Sequence, residues 1–161
     1  MLVKGIKEED FTNYKVPSMF ISTCYCNFKC CTEADMDVGV CQNAPLTNAP
    51  IISIADDVIC THYVMNPITK AVVFGGMEPF EQFQALVMFI DMLRGEFKCD
   101  DDIVIYTGFN KDEIADHVRI LKKFKNIVIK YGRFIPNAPH RYDDVLGIEL
   151  ASDNQYAERI S

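Results

Sequence analysis

"CYCNFKCCTEADMDVGVC", residues 24–41, contains five of the seven cysteines of the chain and directly follows a short apolar run at residues 18–22. The apolar run predicts a β-strand. Thiols gathered at the end of a strand indicate either a metal or iron–sulfur site or a disulfide framework. Because seven is an odd number, it fits a closed set of disulfides poorly. The pattern therefore favours thiols that bind a metal or a cluster.

Length and composition predict a single domain over residues 1–161, with its core at about residues 16–155. Of the 161 residues, 49% are hydrophobic, which is enough to fill one core. Residues 1–14 are charged and contain no apolar signal segment, and the longest apolar runs fall far short of the ~20 residues that cross a bilayer. We therefore expect a cytoplasmic protein with reduced thiols and no membrane contact. The net charge of −7 argues against nucleic acid as a partner.

Apolar strands alternate with helices along the chain. Strands are predicted at residues 16–23, 70–74, 102–107 and 126–131, with a short last strand at 146–150 before a polar tail. Helices are predicted at residues 53–65, 79–95 and 111–124. Residues 1–15 are expected to form an edge strand or an arm. This alternation favours an α/β fold with a mostly parallel sheet.

Four loops with distinctive residues follow the predicted strands. They are the cysteine loop, Gly75-Gly76, Thr107-Gly108 and Gly132-Arg133. In folds with a parallel sheet, ligands bind at the carboxyl ends of the strands. We therefore expect these loops to share one edge of the sheet and to form the functional site.

Cys26-Asn-Phe-Lys-Cys30 is a CxxxC pair, and Cys31 and Cys41 follow it. Thiolates on short, irregular backbone are typical of iron–sulfur clusters. A structural zinc site is an alternative, although it needs four ligands and commonly has CxxC spacing. A group of free, buried cysteines without a ligand is a further alternative. The spacing alone leaves these three interpretations open.

Gly75-Gly76-Met77-Glu78-Pro79 lies between a predicted strand and a predicted helix. Two glycines let the backbone approach a ligand closely, and amides at a helix start favour a carboxylate. Glu78 adds an acceptor that suits an ammonium group. An amino acid carries both groups and would fit this turn. The alternative is an ordinary strand–helix turn with a solvated glutamate.

The motifs Cys26–Cys30 and Gly75–Pro79 together resemble those of the radical S-adenosylmethionine superfamily. The resemblance implies a compact partial (β/α) barrel of mostly parallel strands. It implies that three cysteines hold a 4Fe-4S cluster, which binds the methionine end of S-adenosylmethionine. It also implies reductive cleavage of that cofactor to a 5′-deoxyadenosyl radical. The residues assigned to cofactor binding in this way are Gly75, Gly76, Met77, Glu78 and Thr107.

The short length and three further motifs resemble the activating enzymes of anaerobic ribonucleoside-triphosphate reductases. These motifs are Tyr106–Phe109, Gly132–Phe134 and Ser152–Gln155. The resemblance implies a glycyl radical activase whose partner is anaerobic ribonucleotide reductase or another glycyl radical enzyme. It also implies a flavodoxin- or ferredoxin-type electron donor. Two alternatives remain: a radical enzyme that acts on a small molecule, like the compact enzyme of deazaguanine biosynthesis, and a non-enzymatic zinc-binding module.

The cysteine spacing departs from the superfamily at the third cluster ligand. The usual pattern is CxxxCxxC with an aromatic residue before the last cysteine, and here Thr32 and Glu33 stand at those two positions. The predicted cluster ligands are Cys26, Cys30 and Cys41. Cys31 and Glu33 are the alternatives for the third ligand, although a carboxylate oxygen is a harder and poorer ligand for cluster iron than a thiolate. The residue that stacks on the adenine ring stays unassigned.

Overall fold

Ten β-strands and four α-helices make up the protein, and a computed structural model describes all of residues 1–161. The strands are β1 (Leu2–Val3), β2 (Gly5–Asp10), β3 (Ser18–Thr23), β4 (Ile52–Ser53), β5 (Ala71–Gly76), β6 (Asp102–Tyr106), β7 (Ile127–Tyr131), β8 (Arg141–Asp143), β9 (Ile148–Leu150) and β10 (Tyr156–Arg159). The helices are α1 (Lys29–Glu33), α2 (Asp56–Met65), α3 (Phe83–Gly95) and α4 (Ala115–Leu121). Short 3₁₀ helices cover Val38–Val40, Ala44–Asn48, Pro79–Gln82 and Lys111–Ile114. No helix is both long enough and apolar enough to cross a membrane.

A six-stranded sheet in the order β10-β7-β6-β5-β3-β2 forms the centre of the protein. Its four inner strands run parallel, and the two edge strands pair with them in the antiparallel direction. The inner strands are rich in β-branched residues and are buried along most of their length, as expected for parallel strands covered on both faces. The predicted α/β class with a mostly parallel sheet is confirmed. Closure into a partial barrel and the domain limits stay predictions.

Helices α2, α3 and α4 all pack on one face of the sheet. The inner strands lie side by side in chain order, so each right-handed crossover returns on the same side. Alternate strand residues such as Ile21, Phe74 and Ile105 face these helices in a core of 21 buried residues. The rings of Phe74 and Phe89 meet edge to face, with their centroids 5.3 Å apart. This core fixes the positions of the strand ends.

The opposite face of the sheet packs against a hairpin instead of helices. Its smaller core consists of Tyr14, Ala71, Val73, Val104, Val128, Leu146, Leu150 and Ala157. Asp143 fastens the β8–β9 hairpin to this face, because its carboxylate accepts hydrogen bonds from the amides of Leu146 at 2.9 Å and Ala157 at 2.8 Å. Beyond this core, toward the carboxyl ends of the strands, the same face forms the wall of a cavity.

Three segments differ from the expectations set by the sequence. The helix expected from residue 53 begins at Asp56, because Ser53 pairs with Leu2 in the β1–β4 ladder. Residues 156–159, expected in a polar tail, form β10 beside β7. As a four-residue edge strand with polar residues, β10 lacks the apolar pattern that would have identified it. The strand expected at 146–150 is shorter and pairs with β8 outside the main sheet.

Candidate functional site

The carboxyl ends of β3, β5, β6 and β7 meet at one edge of the sheet. Thr23 pairs with Gly76, and Tyr106 pairs with Lys130, at this edge. The loops that follow these strands surround a cavity of about 320 Å³ on the sheet face that packs against the β8–β9 hairpin, near the lower end of the ~300–1,000 Å³ range of small-molecule sites. All eight residues predicted to bind the cluster or the cofactor line this cavity: Cys26, Cys30, Cys41, Gly75, Gly76, Met77, Glu78 and Thr107.

The first part of the cysteine loop is hydrogen-bonded to the turn that follows β5. The amide of Glu78 donates to the carbonyl oxygen of Tyr25 at 2.7 Å. At the base of the loop, the hydroxyl of Thr23 donates to the carbonyl oxygen of Gly75 at 3.0 Å. Although 52 positions separate Thr23 from Gly75, the parallel pairing of β3 with β5 makes them neighbours. The two sequence motifs are therefore parts of one site.

Cys26 and Cys30 lie on either side of the start of α1, and both are half-buried. Phe28 adopts a φ of 54°, and its amide donates to the sulfur of Cys26 at 3.3 Å. Hydrogen bonds to sulfur are among the interactions that tune iron–sulfur clusters. Burial raises the pKa of the Cys26 thiol to about 11 and that of the Cys30 thiol to about 12. Because cluster iron binds thiolates, cluster assembly would release protons from both residues.

Cys41 reaches the same cavity directly after the 3₁₀ helix at Val38–Val40, whereas Cys31 does not line it. Cys41 is near enough to Cys26 and Cys30 to contribute to their raised pKa values. Cys31 is 1% exposed. No three His, Cys, Asp or Glu side chains converge on one metal position, so the thiols would have to turn toward a cluster. The identity of the third ligand stays a prediction.

Glu78 is a buried carboxylate on the cavity wall, with 7% of its surface exposed. One carboxylate oxygen accepts hydrogen bonds from the hydroxyl of Thr107 at 2.8 Å and the amide of Phe80 at 3.1 Å. The other accepts a hydrogen bond from the amide of Gly108 at 2.9 Å. Burial raises the pKa of Glu78 to about 7, against the effect of these donors. The alternative of a turn with a solvated glutamate is therefore wrong.

Lys130 is a second buried charged side chain on the cavity wall, and the sequence analysis did not identify it. It is 7% exposed, and its Nζ donates one hydrogen bond, to the carbonyl oxygen of Gly132 at 3.2 Å. Loss of hydration lowers the pKa of Lys130 to about 8, while the negative charge of Glu78 acts in the opposite direction. The sequence feature that could have identified it is a lysine within the largely apolar strand predicted at residues 126–131. Glu78 and Lys130 present opposite charges to one cavity.

Gly75 and Gly76 let the end of β5 pack closely against β3. A Cβ atom at Gly75 would lie 2.9 Å from the Phe20 ring, and one at Gly76, where φ is +79°, would lie 3.0 Å from the Cβ of Ser22. The absence of a side chain at Gly75 therefore leaves room for the Phe20 ring at the cavity wall. The aromatic residues that line the cavity are Phe20, Phe28, Tyr106 and Phe134. The cavity thus combines thiols, two opposite charges and flat apolar rings.

Comparison with protein families gives one match for this chain. The sequence model of a family described as "4Fe-4S single cluster domain" matches residues 15–155. The match covers most of the chain, including the cysteine loop, the turn after β5 and every strand end around the cavity. Searches of curated proteins and of solved structures found no match.

Proposed function

We propose a function that starts from the family, since the chain belongs to the 4Fe-4S single cluster domain family. The protein is a radical S-adenosylmethionine enzyme that generates a glycyl radical on a partner enzyme. The partner is anaerobic ribonucleotide reductase or another glycyl radical enzyme. One observation carries the proposal: the thiols of Cys26, Cys30 and Cys41 line the same cavity as Glu78 and Lys130. The thiols suit an iron–sulfur cluster, and the two opposite charges suit the amino acid end of the cofactor.

The thiol set fits a cluster with one iron atom free for the cofactor. Cys26, Cys30 and Cys41 supply three thiolates, which leaves the fourth iron of a 4Fe-4S cluster without a protein ligand. The methionine end of S-adenosylmethionine would bind at this free iron position. The family match favours iron–sulfur chemistry over the zinc-binding alternative.

The charged residues fit the methionine end of the cofactor. An isolated charge is costly to bury, and a ligand with the complementary charge reduces that cost. Glu78 would face the ammonium group and Lys130 the carboxylate group. The aromatic rings on the cavity wall offer flat surfaces for the adenine ring. The residues present therefore match the ionic ends and the apolar ring of S-adenosylmethionine.

A 4Fe-4S cluster held by Cys26, Cys30 and Cys41 would, once reduced, supply the one electron needed for cleavage of S-adenosylmethionine to methionine and a 5′-deoxyadenosyl radical. A flavodoxin- or ferredoxin-type protein would deliver that electron. Glu78 and Lys130 would hold the methionine end beside the thiols, and the buried walls would limit access of water to the radical. A glycine of the partner would then give up one hydrogen atom, which yields 5′-deoxyadenosine and a glycyl radical.

The decisive experiment combines product analysis with spectroscopy. The protein is reconstituted anaerobically with iron and sulfide, reduced and supplied with S-adenosylmethionine, with and without the partner reductase. We expect 5′-deoxyadenosine by chromatography and, with the partner, a glycyl radical by electron paramagnetic resonance. Cofactor cleavage that needs a small molecule and never produces a glycyl radical would favour the small-molecule enzyme. A colourless protein that retains zinc would favour the zinc-binding module.

Glu78→Gln is expected to weaken S-adenosylmethionine binding by about 10- to 150-fold. The change keeps the shape of the side chain but removes the charge that faces the ammonium group, a loss of roughly 1.5–3 kcal/mol. Anaerobic calorimetric titration of the reconstituted protein measures the dissociation constant, and iron content should stay unchanged. The control is Glu81→Gln, an exposed glutamate of the same turn, with an expected change below about twofold. Equal binding by Glu78→Gln and the unchanged protein would refute this role.

Affinity for S-adenosylmethionine is expected to fall as the pH drops below about 7. Because burial raises the pKa of Glu78 to about 7, its carboxyl group is charged above that pH and neutral below it, and the neutral form attracts an ammonium group far less. From pH 7.5 to pH 6 the dissociation constant should rise by about four- to eightfold. Titrations at these two pH values measure the effect. Glu78→Gln should lack this dependence, and a flat profile for the unchanged protein would contradict the prediction.

A further inference from the structure

Four charged side chains form an ion-pair network at the same edge of the sheet, which we call the rim network: Lys29, Glu33, Glu113 and Arg133. Arg133 is its centre, and its side chain is only 13% exposed. Its two terminal nitrogens donate to the two carboxylate oxygens of Glu113 at 2.6 and 2.8 Å. One of them also donates to Glu33 at 3.0 Å. Lys29 forms ion pairs with both carboxylates.

The rim network joins three separate parts of the chain. Glu33 is the last residue of α1, the helix that contains Cys30. Glu113 lies in the 3₁₀ helix after β6, and Arg133 follows β7. Glu33 and Arg133 are 100 positions apart in the sequence. The network therefore fastens the cysteine-bearing helix, which has only five residues, to the edge of the sheet.

Arg133 also contacts the residue that holds Glu78. The carbonyl oxygen of Gly108 accepts a hydrogen bond from Arg133 at 3.0 Å. The amide of Gly108 donates to the Glu78 carboxylate at 2.9 Å. Gly108 is thus held between Arg133 and Glu78. The guanidinium group of Arg133 therefore stabilises both helix α1, which contains Cys30, and the Gly108 backbone that binds the Glu78 carboxylate.

We propose that Glu33 and Arg133 are positioning residues, which hold Cys30 and Glu78 in the places that cluster and cofactor binding need. The inference rests on the proposed function and adds to it that Glu33 does not bind iron. Glu33 occupies the position of the usual third cysteine, yet its carboxylate is engaged by Arg133 and Lys29. Removing Glu33 would leave Arg133 with fewer partners in a poorly solvated place, which is unfavourable. Helix α1 would lose its main link to the loop after β7.

Glu33→Gln tests this role because it preserves shape and removes the charge. We expect the variant to take up the same amount of iron as the unchanged protein. Its iron should pass to a chelator about tenfold faster, and its dissociation constant for S-adenosylmethionine should rise about five- to tenfold. High salt should speed iron release from the unchanged protein more than from the variant, because salt screens the half-exposed pairs of Glu33. Asp35→Asn, an exposed neighbour, is the matched control and should change neither quantity.

A double-mutant cycle separates positioning from general stability. Glu33→Gln and Arg133→Met should be clearly non-additive in iron release, since they remove the same contact. A reduced iron content in Glu33→Gln, with an unchanged melting temperature, would make Glu33 a ligand and overturn the proposal. Unchanged iron release and cofactor affinity would also overturn it. If the unchanged protein holds a cluster but binds no S-adenosylmethionine, the proposed function fails, and the iron-release measurement still decides the role of Glu33.

Discussion

Cys26→Ala and Cys30→Ala are each expected to abolish cluster binding, from about four iron atoms per chain to nearly none. Both thiols line the cavity, and the cluster has no spare thiolate if three cysteines hold it. The loop geometry gives a further reason, because the Phe28 amide already points at the sulfur of Cys26. Iron and sulfide analysis after anaerobic reconstitution, with the visible absorption of the cluster, measures the loss.

Cys60→Ala and Cys99→Ala are the matched controls for these two changes. Cys60 is a fully buried core residue of α2, and Cys99 packs against the same core. Neither residue lines the cavity, so both variants should take up iron as the unchanged protein does. Circular dichroism shows whether each variant is folded. Loss of iron from a folded Cys60→Ala or Cys99→Ala protein would mean that the ligand set is wrong.

The sheet, and the edge at which the loops after its strands meet, were predictable from local sequence. Residues 71–74 and 103–105 are continuous apolar runs with many β-branched side chains, which indicate strands buried on both faces. Each run is followed closely by glycine. Parallel strands place such ends together, and the cavity at this edge follows from that rule. The prediction succeeded because each step depended on residues adjacent in the chain.

The electrostatics of the site were not predictable, because they depend on contacts between distant residues. Lys130 lies between apolar residues in a buried strand. Only the tertiary structure shows that it lines the same cavity as Glu78. The contact between Glu33 and Arg133 spans 100 positions. The turn at Gly75–Pro79 identified Glu78, but neither its burial nor its hydrogen bonds from Thr107 and Gly108 could be predicted from it. No local sequence pattern links these pairs, because their partners lie far apart in the chain.

Cys41 is expected to supply the third thiolate, for three structural reasons. It lies on the cavity wall with Cys26 and Cys30. Cys31 lies beside Cys30, with the two sulfurs 4.0 Å apart, but it is almost fully buried and does not line the cavity. Glu33, at the usual third position, is held by Arg133. The 3₁₀ helix at residues 38–40 brings the chain back to the cavity at Cys41.

Cys41→Ala should therefore lose the cluster, with iron falling from about four atoms per chain to nearly none, while Cys31→Ala should keep its iron. Cys31 is buried beside Cys30, so its loss should cost some stability of the fold without removing an iron ligand. Iron content after reconstitution and the paramagnetic resonance of the reduced protein measure both outcomes, and Glu33→Gln is prepared alongside them. A Cys41→Ala protein that keeps its cluster, together with a folded Cys31→Ala or Glu33→Gln protein that loses it, would place the third ligand on α1 instead.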